Sequence, residues 1–179
     1  MGPPIMKKFW PVPKSYSRNV RKVPDNAYFK GKDYYMNSKH RKILIWHSGI
    51  DLYCPVGSKV LAVEDCTIVK IWEFTGPSYT PEYRKTWAVN VRNSDGRIAV
   101  YGEVRKPRLK VGQKVRAGQV IGHVAQLMYT SKRPQKKLRC MLHFELYKKG
   151  TKRTVEWWPR NMPKPEKLLD PTRYLEECA

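Results

Sequence analysis

The chain has 179 residues, and its 36 Lys and Arg against 15 Asp and Glu give a formal charge of +21. That length suits one domain with a real core. The charge excludes a near-neutral surface: it implies a polyanionic partner or surroundings, whether nucleic acid, anionic membrane or anionic wall polymer, or simply a solvated basic surface.

Residues 1–41 are rich in Pro, Tyr, Lys and Arg and keep neither a helical nor a strand period. They are expected to form a basic, aromatic N-terminal arm over a domain at 42–179, and to offer a route to assembly with other proteins. The first residues have no apolar run of signal-peptide length. No stretch approaches the ~20 apolar residues of a membrane-spanning helix. From residue 42 the texture changes to short runs of Val, Ile, Trp, Tyr and Phe: Ile43–Trp46, Lys59–Ala62, Thr67–Phe74, Trp87–Arg92, Arg97–Tyr101, Val120–Ala125 and Arg139–Tyr147. Turn residues separate them, such as Asn93-Ser94-Asp95-Gly96. Short strands with regular turns predict an all-β, mainly antiparallel sandwich or barrel-like domain. Two long loops, 75–86 and 126–137, are expected to wall a functional cleft. One short helix is predicted at Thr172–Cys178, with Asp170 as cap and Pro171 at its first position.

Against this background His47 and Asp51 stand four residues apart, and His143 lies far downstream in Met141-Leu142-His143-Phe144-Glu145. Two histidines and a carboxylate are a recurrent ligand set for catalytic zinc, leaving one position open. By period two, Glu145 shares a strand face with His143. His40 sits in a basic run and reads as solvated, and His123 reads as a core or edge histidine. Cys54, Cys66, Cys140 and Cys178 form no CxxC pair and read as buried thiols, with one disulfide possible by number. Cys54 and Cys140, three residues from Asp51 and His143, fall on the opposite strand faces.

An internal echo organises the domain. Val56-Gly57-Ser58-Lys59-Val60-Leu61-Ala62 recurs as Val111-Gly112-Gln113-Lys114-Val115-Arg116-Ala117. Each glycine supplies a turn and each valine an inward side chain. The echo points to a β domain of two related halves.

Taken in order with His47-Ser48-Gly49-Ile50-Asp51, Tyr101-Gly102-Glu103, Leu142-His143-Phe144-Glu145 and Asp170-Pro171-Thr172, these segments resemble the lysostaphin-like (LytM-type) zinc metallopeptidases over about residues 42–175. The resemblance implies a duplicated-hybrid-motif β fold, zinc held by His47, Asp51 and His143, and hydrolysis of peptide crosslinks in peptidoglycan. It places the protein in the cell envelope or a phage particle. A substrate groove is expected beside Tyr79, Tyr83 and Tyr101. Two positions depart from the family. Where it carries catalytic histidines, this chain has Glu103 and Met141. Methionine cannot transfer a proton, whereas a carboxylate can act as general base beside zinc.

Two readings follow from that substitution: an endopeptidase with Glu103 as base, or a catalytically degenerate relative that keeps zinc for structure or binding. The rival class is a basic nucleic-acid-binding β domain. Charge and aromatic content of 12% permit it, but no recognisable nucleic-acid motif accompanies them, so specific nucleic-acid binding is not expected. Carrier domains share the half-motif but need a modified lysine on an exposed hairpin, and none stands out.

Overall fold

The computed structural model describes residues 7–22, 29–36, 42–78, 83–127, 140–154 and 157–179. Eleven strands and one short α-helix follow a 3-10 turn at Val20–Lys22. The strands are β1 (Lys32–Met36), β2 (Lys42–Trp46), β3 (Ile50–Tyr53), β4 (Lys59–Leu61), β5 (Cys66–Glu73), β6 (Trp87–Asn93), β7 (Ile98–Val104), β8 (Lys114–Val115), β9 (Val120–His123), β10 (Met141–Tyr147) and β11 (Leu168–Leu169). Helix α1 is Thr172–Glu176. The fold is mainly antiparallel β, as the runs and turns predicted. A seven-stranded sheet runs β11-β10-β7-β6-β5-β8, with β3 also paired to β10, beside the two-stranded pairs β4-β9 and β1-β2.

The echo is structural. Its two copies carry β4 and β8, each entered through a left-handed glycine, Gly57 at φ 77° and Gly112 at φ 88°. Val60 and Val115 are both buried, whereas Val56 and Val111, also expected to point inward, precede the turn glycines and are exposed, so each copy delivers one valine to the core after one tight turn.

Strands β7 and β10 are buried on both faces. Leu142, Phe144 and Leu146 of β10 join the main core with Ile50, Leu52 and Tyr101, while Tyr147 on the alternate face packs with Val100, Leu168 and Trp158. That second face is roofed by Phe29, Trp46, Trp72 and Phe74. This alternation leaves Met141, His143, Glu145 and Tyr147 on one side of β10 and the core residues on the other.

Residues 7–22 are built into the core, with Trp10, Val12 and Val20 buried. Phe9 N–H bonds the Val63 carbonyl at 2.8 Å, and Trp10 N–H bonds Ala179 O at 2.9 Å. Strands β1 and β2, one on each side of residue 41, pair antiparallel. The helix is two residues shorter than predicted. Pro171 is its N-cap, and the Asp170 carboxylate accepts the Thr172 N–H at 2.9 Å and its hydroxyl at 2.6 Å, an Asx turn one residue before the cap. Strands β1, β3, β8 and β11 were not read from sequence; β8 and β11 are two residues each, too short to show a period. No helix among the described residues is long and apolar enough to cross a membrane.

Candidate metal centre

β3 and β10 pair antiparallel with Asp51 directly opposite His143, which brings together two residues 92 positions apart. His47, one turn of chain before β3, completes the group. His47 Nε2 lies 3.0 Å from His143 Nδ1 and 3.2 Å from Asp51 Oδ1, and His143 Nδ1 lies 2.9 Å from the same oxygen. The three atoms form a nearly equilateral triangle. A tetrahedral zinc with ligands at about 2.0–2.1 Å spaces them about 3.3 Å apart, so the donor set and its spacing fit that ion. His47, Asp51 and His143 are the metal-capable group found among the described residues.

Gly49 makes the approach possible. A Cβ there would stand 2.4 Å from the Phe144 carbonyl oxygen and 2.9 Å from Cε1 and Nε2 of His143. Backbone cannot yield as a flexible side chain can, so Gly49→Ala is expected to push β3 off β10. It should cost roughly 1–3 kcal/mol and abolish metal binding, as equilibrium dialysis with zinc and a denaturation curve would show.

His143 is oriented from behind. Its Nε2 lies 2.9 Å from Glu145 Oε1, which also accepts the Ser48 hydroxyl at 2.6 Å, while Glu145 Oε2 accepts the Tyr147 hydroxyl at 2.7 Å. With Nε2–H donated to Glu145, Nδ1 presents its lone pair to the cluster. Burial would raise the Glu145 pKa, but the hydrogen bond and charge of His143, with Ser48 and Tyr147, hold it below the usual carboxylate range. Burial likewise opposes the charge on Asp51, yet His47 and His143 hold its carboxyl well below the usual value. For His143 burial works downward, but the hydrogen bonds to Asp51 and Glu145 outweigh it and push the pKa up to about 10. Glu145→Gln is expected to weaken zinc binding about 10–100-fold, measured by competition with a chelator.

Glu103 reaches this face through an irregularity. Between the Val89–Tyr101 and Trp87–Val104 pairs the register slips, so Ala88 opposes both Gly102 and Glu103. Glu103 has φ 62°. Such a bulge re-aims a side chain, and the left-handed backbone of a non-glycine residue is the kind of strain that collects at functional sites. Its Oε2 accepts the hydroxyls of Thr75 at 2.8 Å and Thr86 at 3.0 Å. No hydrogen bond reaches Oε1 among the described residues. Burial raises the Glu103 pKa to about 7, against the lowering effect of the Thr75 bond, the His143 charge and the Thr86 bond. Phe74 lies against Gly102, where a Cβ would meet its ring at 2.7 Å, and its ring centroid is 5.3 Å from that of His143.

Other expected site residues fall elsewhere. Tyr101 is in the main core, 1% exposed, and its hydroxyl accepts the Val63 N–H at 3.0 Å. It cannot border a substrate groove: by strand alternation it points away from His143. Tyr83 is half-buried, and Tyr79 and His40 lie outside the described residues. Met141 is buried on the His143 face. His123 ends β9 exposed to solvent. Cys54 and Cys140 are buried free thiols in the main core; burial pushes the Cys54 thiol up to about 11. The sequence reading missed Ser48, Gly49, Phe74, Thr75, Thr86 and Tyr147. Period two along β10 could have found Tyr147; Thr75 and Thr86 meet Glu103 only through folding.

Solved structures with the same fold include a chain of the SpoIIQ-SpoIIIAH pore forming complex, with TM-score 0.53 and 21% identity over 98% of this chain and 99% of that one. A zinc containing peptidase from Vibrio cholerae matches with TM-score 0.53 and 19% identity over 93% of this chain and 40% of its own. LytU matches with TM-score 0.52 and 16% identity, covering 87% and 88%. No curated protein sequence shows significant similarity. The model of Peptidase family M23 matches residues 46–155, a span that holds His47, Asp51, Glu103 and His143, and the chain belongs to that family.

Proposed function

We propose that this protein is a zinc-dependent peptidoglycan endopeptidase in which Glu103 is the general base. The observation that carries this reading is the carboxylate itself: buried, strained, fixed through one oxygen by two threonine hydroxyls, with no described residue hydrogen-bonded to the other oxygen. A base needs a pKa near the working pH and a fixed orientation, and a carboxylate shifted toward 7 meets the first condition.

His47, Asp51 and His143 would hold the ion through Nε2, Oδ1 and Nδ1. When bound there, zinc supplies Lewis acidity, polarising a carbonyl and acidifying water. The chain's own residues do the rest. Glu145 fixes the tautomer and ring direction of His143. Phe74 covers the His143 ring and keeps bulk water from it. Glu103 Oε1 accepts a proton while Oε2 stays anchored. Met141 offers no proton, so the leaving amine must be protonated by Glu103 in its acid form, which a pKa near neutrality permits.

The chain's +21 charge favours an anionic wall, and association with it should weaken with salt. The test is zinc analysis of the purified protein together with turbidity of purified sacculi. One zinc per chain with lysis is expected. Zinc without lysis under any condition would mean that the domain works by binding alone, and absence of zinc binding would overturn the metal centre.

A further inference from the structure

The sheet carries a second feature at its β5–β8 edge. Thr67 of β5 is directly opposite both Arg92 of β6 and Lys114 of β8. Cross-strand partners share a face, so a guanidinium, a hydroxyl and an ammonium stand in one row across three strands. Their neighbours Cys66 and Val115 point the other way, into the core. Arg92 and Lys114 are both exposed, about 9–10 Å apart at the backbone with one strand between them. This row lines a concavity of ≈ 670 Å³ that also takes in Arg116, Asp65 and Gln119.

Three cationic side chains face one carboxylate here. None of Arg92, Lys114 and Arg116 forms an ion pair with a described residue. Asp65, the carboxylate of the concavity, accepts the Ala117 N–H at 2.7 Å through Oδ1. Two like charges flanking one threonine on the same sheet face repel unless an anion lies between them. A tetrahedral oxyanion can direct separate oxygens to the guanidinium, the hydroxyl and the ammonium, whereas the two coplanar oxygens of a carboxylate cannot reach all three. Arginine in particular suits bidentate contact with phosphate.

The lining also selects what carries the phosphate. It holds no aromatic ring, so nothing there stacks a base, which single-stranded nucleic-acid sites use. Its remaining polar groups, the second oxygen of Asp65, the Gln119 amide nitrogen, Asn93 and Ser94, suit hydroxyls. We propose that the Arg92–Thr67–Lys114 row binds the phosphate of a hydroxyl-bearing phosphodiester polymer. The row lies about 13 Å along the strand direction from the level of His143, since Arg92 pairs with Ile98 and His143 with Gly102, and two to four strands to the side of β10. It would anchor the protein on such a polymer away from the metal centre, and the reading is independent of the chemistry at His143.

The test uses a synthetic glycerol-phosphate oligomer as probe, with binding followed by calorimetry at fixed ionic strength. Arg92→Gln/Lys114→Gln is expected to weaken binding at least about tenfold. The charge-matched control Lys106→Gln/Arg108→Gln, at exposed positions outside the concavity, should lose less than about threefold. Unchanged thermal unfolding of both variants checks that they are folded. Inorganic phosphate should compete with the oligomer for the wild type where equal ionic strength of chloride does not. Equal losses in the two variants would overturn the proposal in favour of a diffuse field. Tighter binding of a single-stranded oligonucleotide of equal charge, lost in the Arg92/Lys114 variant, would overturn it in favour of nucleic acid.

Discussion

Replacing His143 with alanine is expected to abolish zinc binding and to destabilise the protein by about 3–5 kcal/mol even without metal. The first effect follows from the triangle, which loses one corner. The second follows from what His143 does in the metal-free chain. It lies 2.9 Å from both Asp51 and Glu145, and its removal takes the imidazole from the buried Glu145 carboxylate and leaves Asp51 with His47, 3.2 Å away. The sign with pH is definite. A histidine whose pKa rises from 6.5 to about 10 on folding contributes stability that is complete below about 6.5 and lost as pH rises through about 10. Zinc must displace that proton, so its apparent affinity should increase about tenfold per pH unit between pH 7 and 9. Urea unfolding with and without chelator, for wild type and His143→Ala at two pH values, checks both statements. A metal-free His143→Ala variant as stable as the wild type would contradict them.

Glu103→Gln is expected to cut lysis of sacculi by at least about 100-fold while zinc content stays at one per chain. Glutamine keeps the shape and still accepts the Thr75 and Thr86 hydroxyls, so what is lost is the proton acceptor. The same substitution should stabilise the metal-free protein at pH 8. A carboxyl raised from 4.5 to about 7 by burial loses stability as pH rises between those values, because the folded state then holds the proton that the unfolded state has released. Above pH 7 the full penalty is present, on the order of 3 kcal/mol, and glutamine removes it. Thermal unfolding at pH 5 and pH 8 separates the effects: the variant should gain at pH 8 and little at pH 5. Lysis that survives in Glu103→Gln would remove Glu103 from the base role.

Much of this architecture was legible in the residues. All seven apolar runs became strands, because alternating or continuous apolar runs bounded by Gly, Asn and Asp leave few other ways to bury side chains. The echo around Gly57 and Gly112 marked the two halves because a left-handed turn leaves a chemical signature. His47, Asp51 and His143 were joined as one ligand set through the family resemblance, while the β3–β10 register that sets Asp51 across from His143 has no signature in the residues. Strand β3 went unread because Ile50-Asp51-Leu52-Tyr53 is short and its polar members belong to the site. The support of Glu103 was hidden for a different reason: a bulge opposite Ala88 and two threonines 11 residues apart have no local pattern. Tyr101 was misplaced because sequence proximity to Glu103 says nothing about face; the bulge between them reverses it.

Strand β10 divides two jobs within seven residues. Positions 142, 144 and 146 hold the domain together, and 141, 143 and 145 face the chemistry. The two sides of this one strand can therefore be probed separately: a change at 141 meets the face of His143 and Glu145, and a change at 142, 144 or 146 meets the main core.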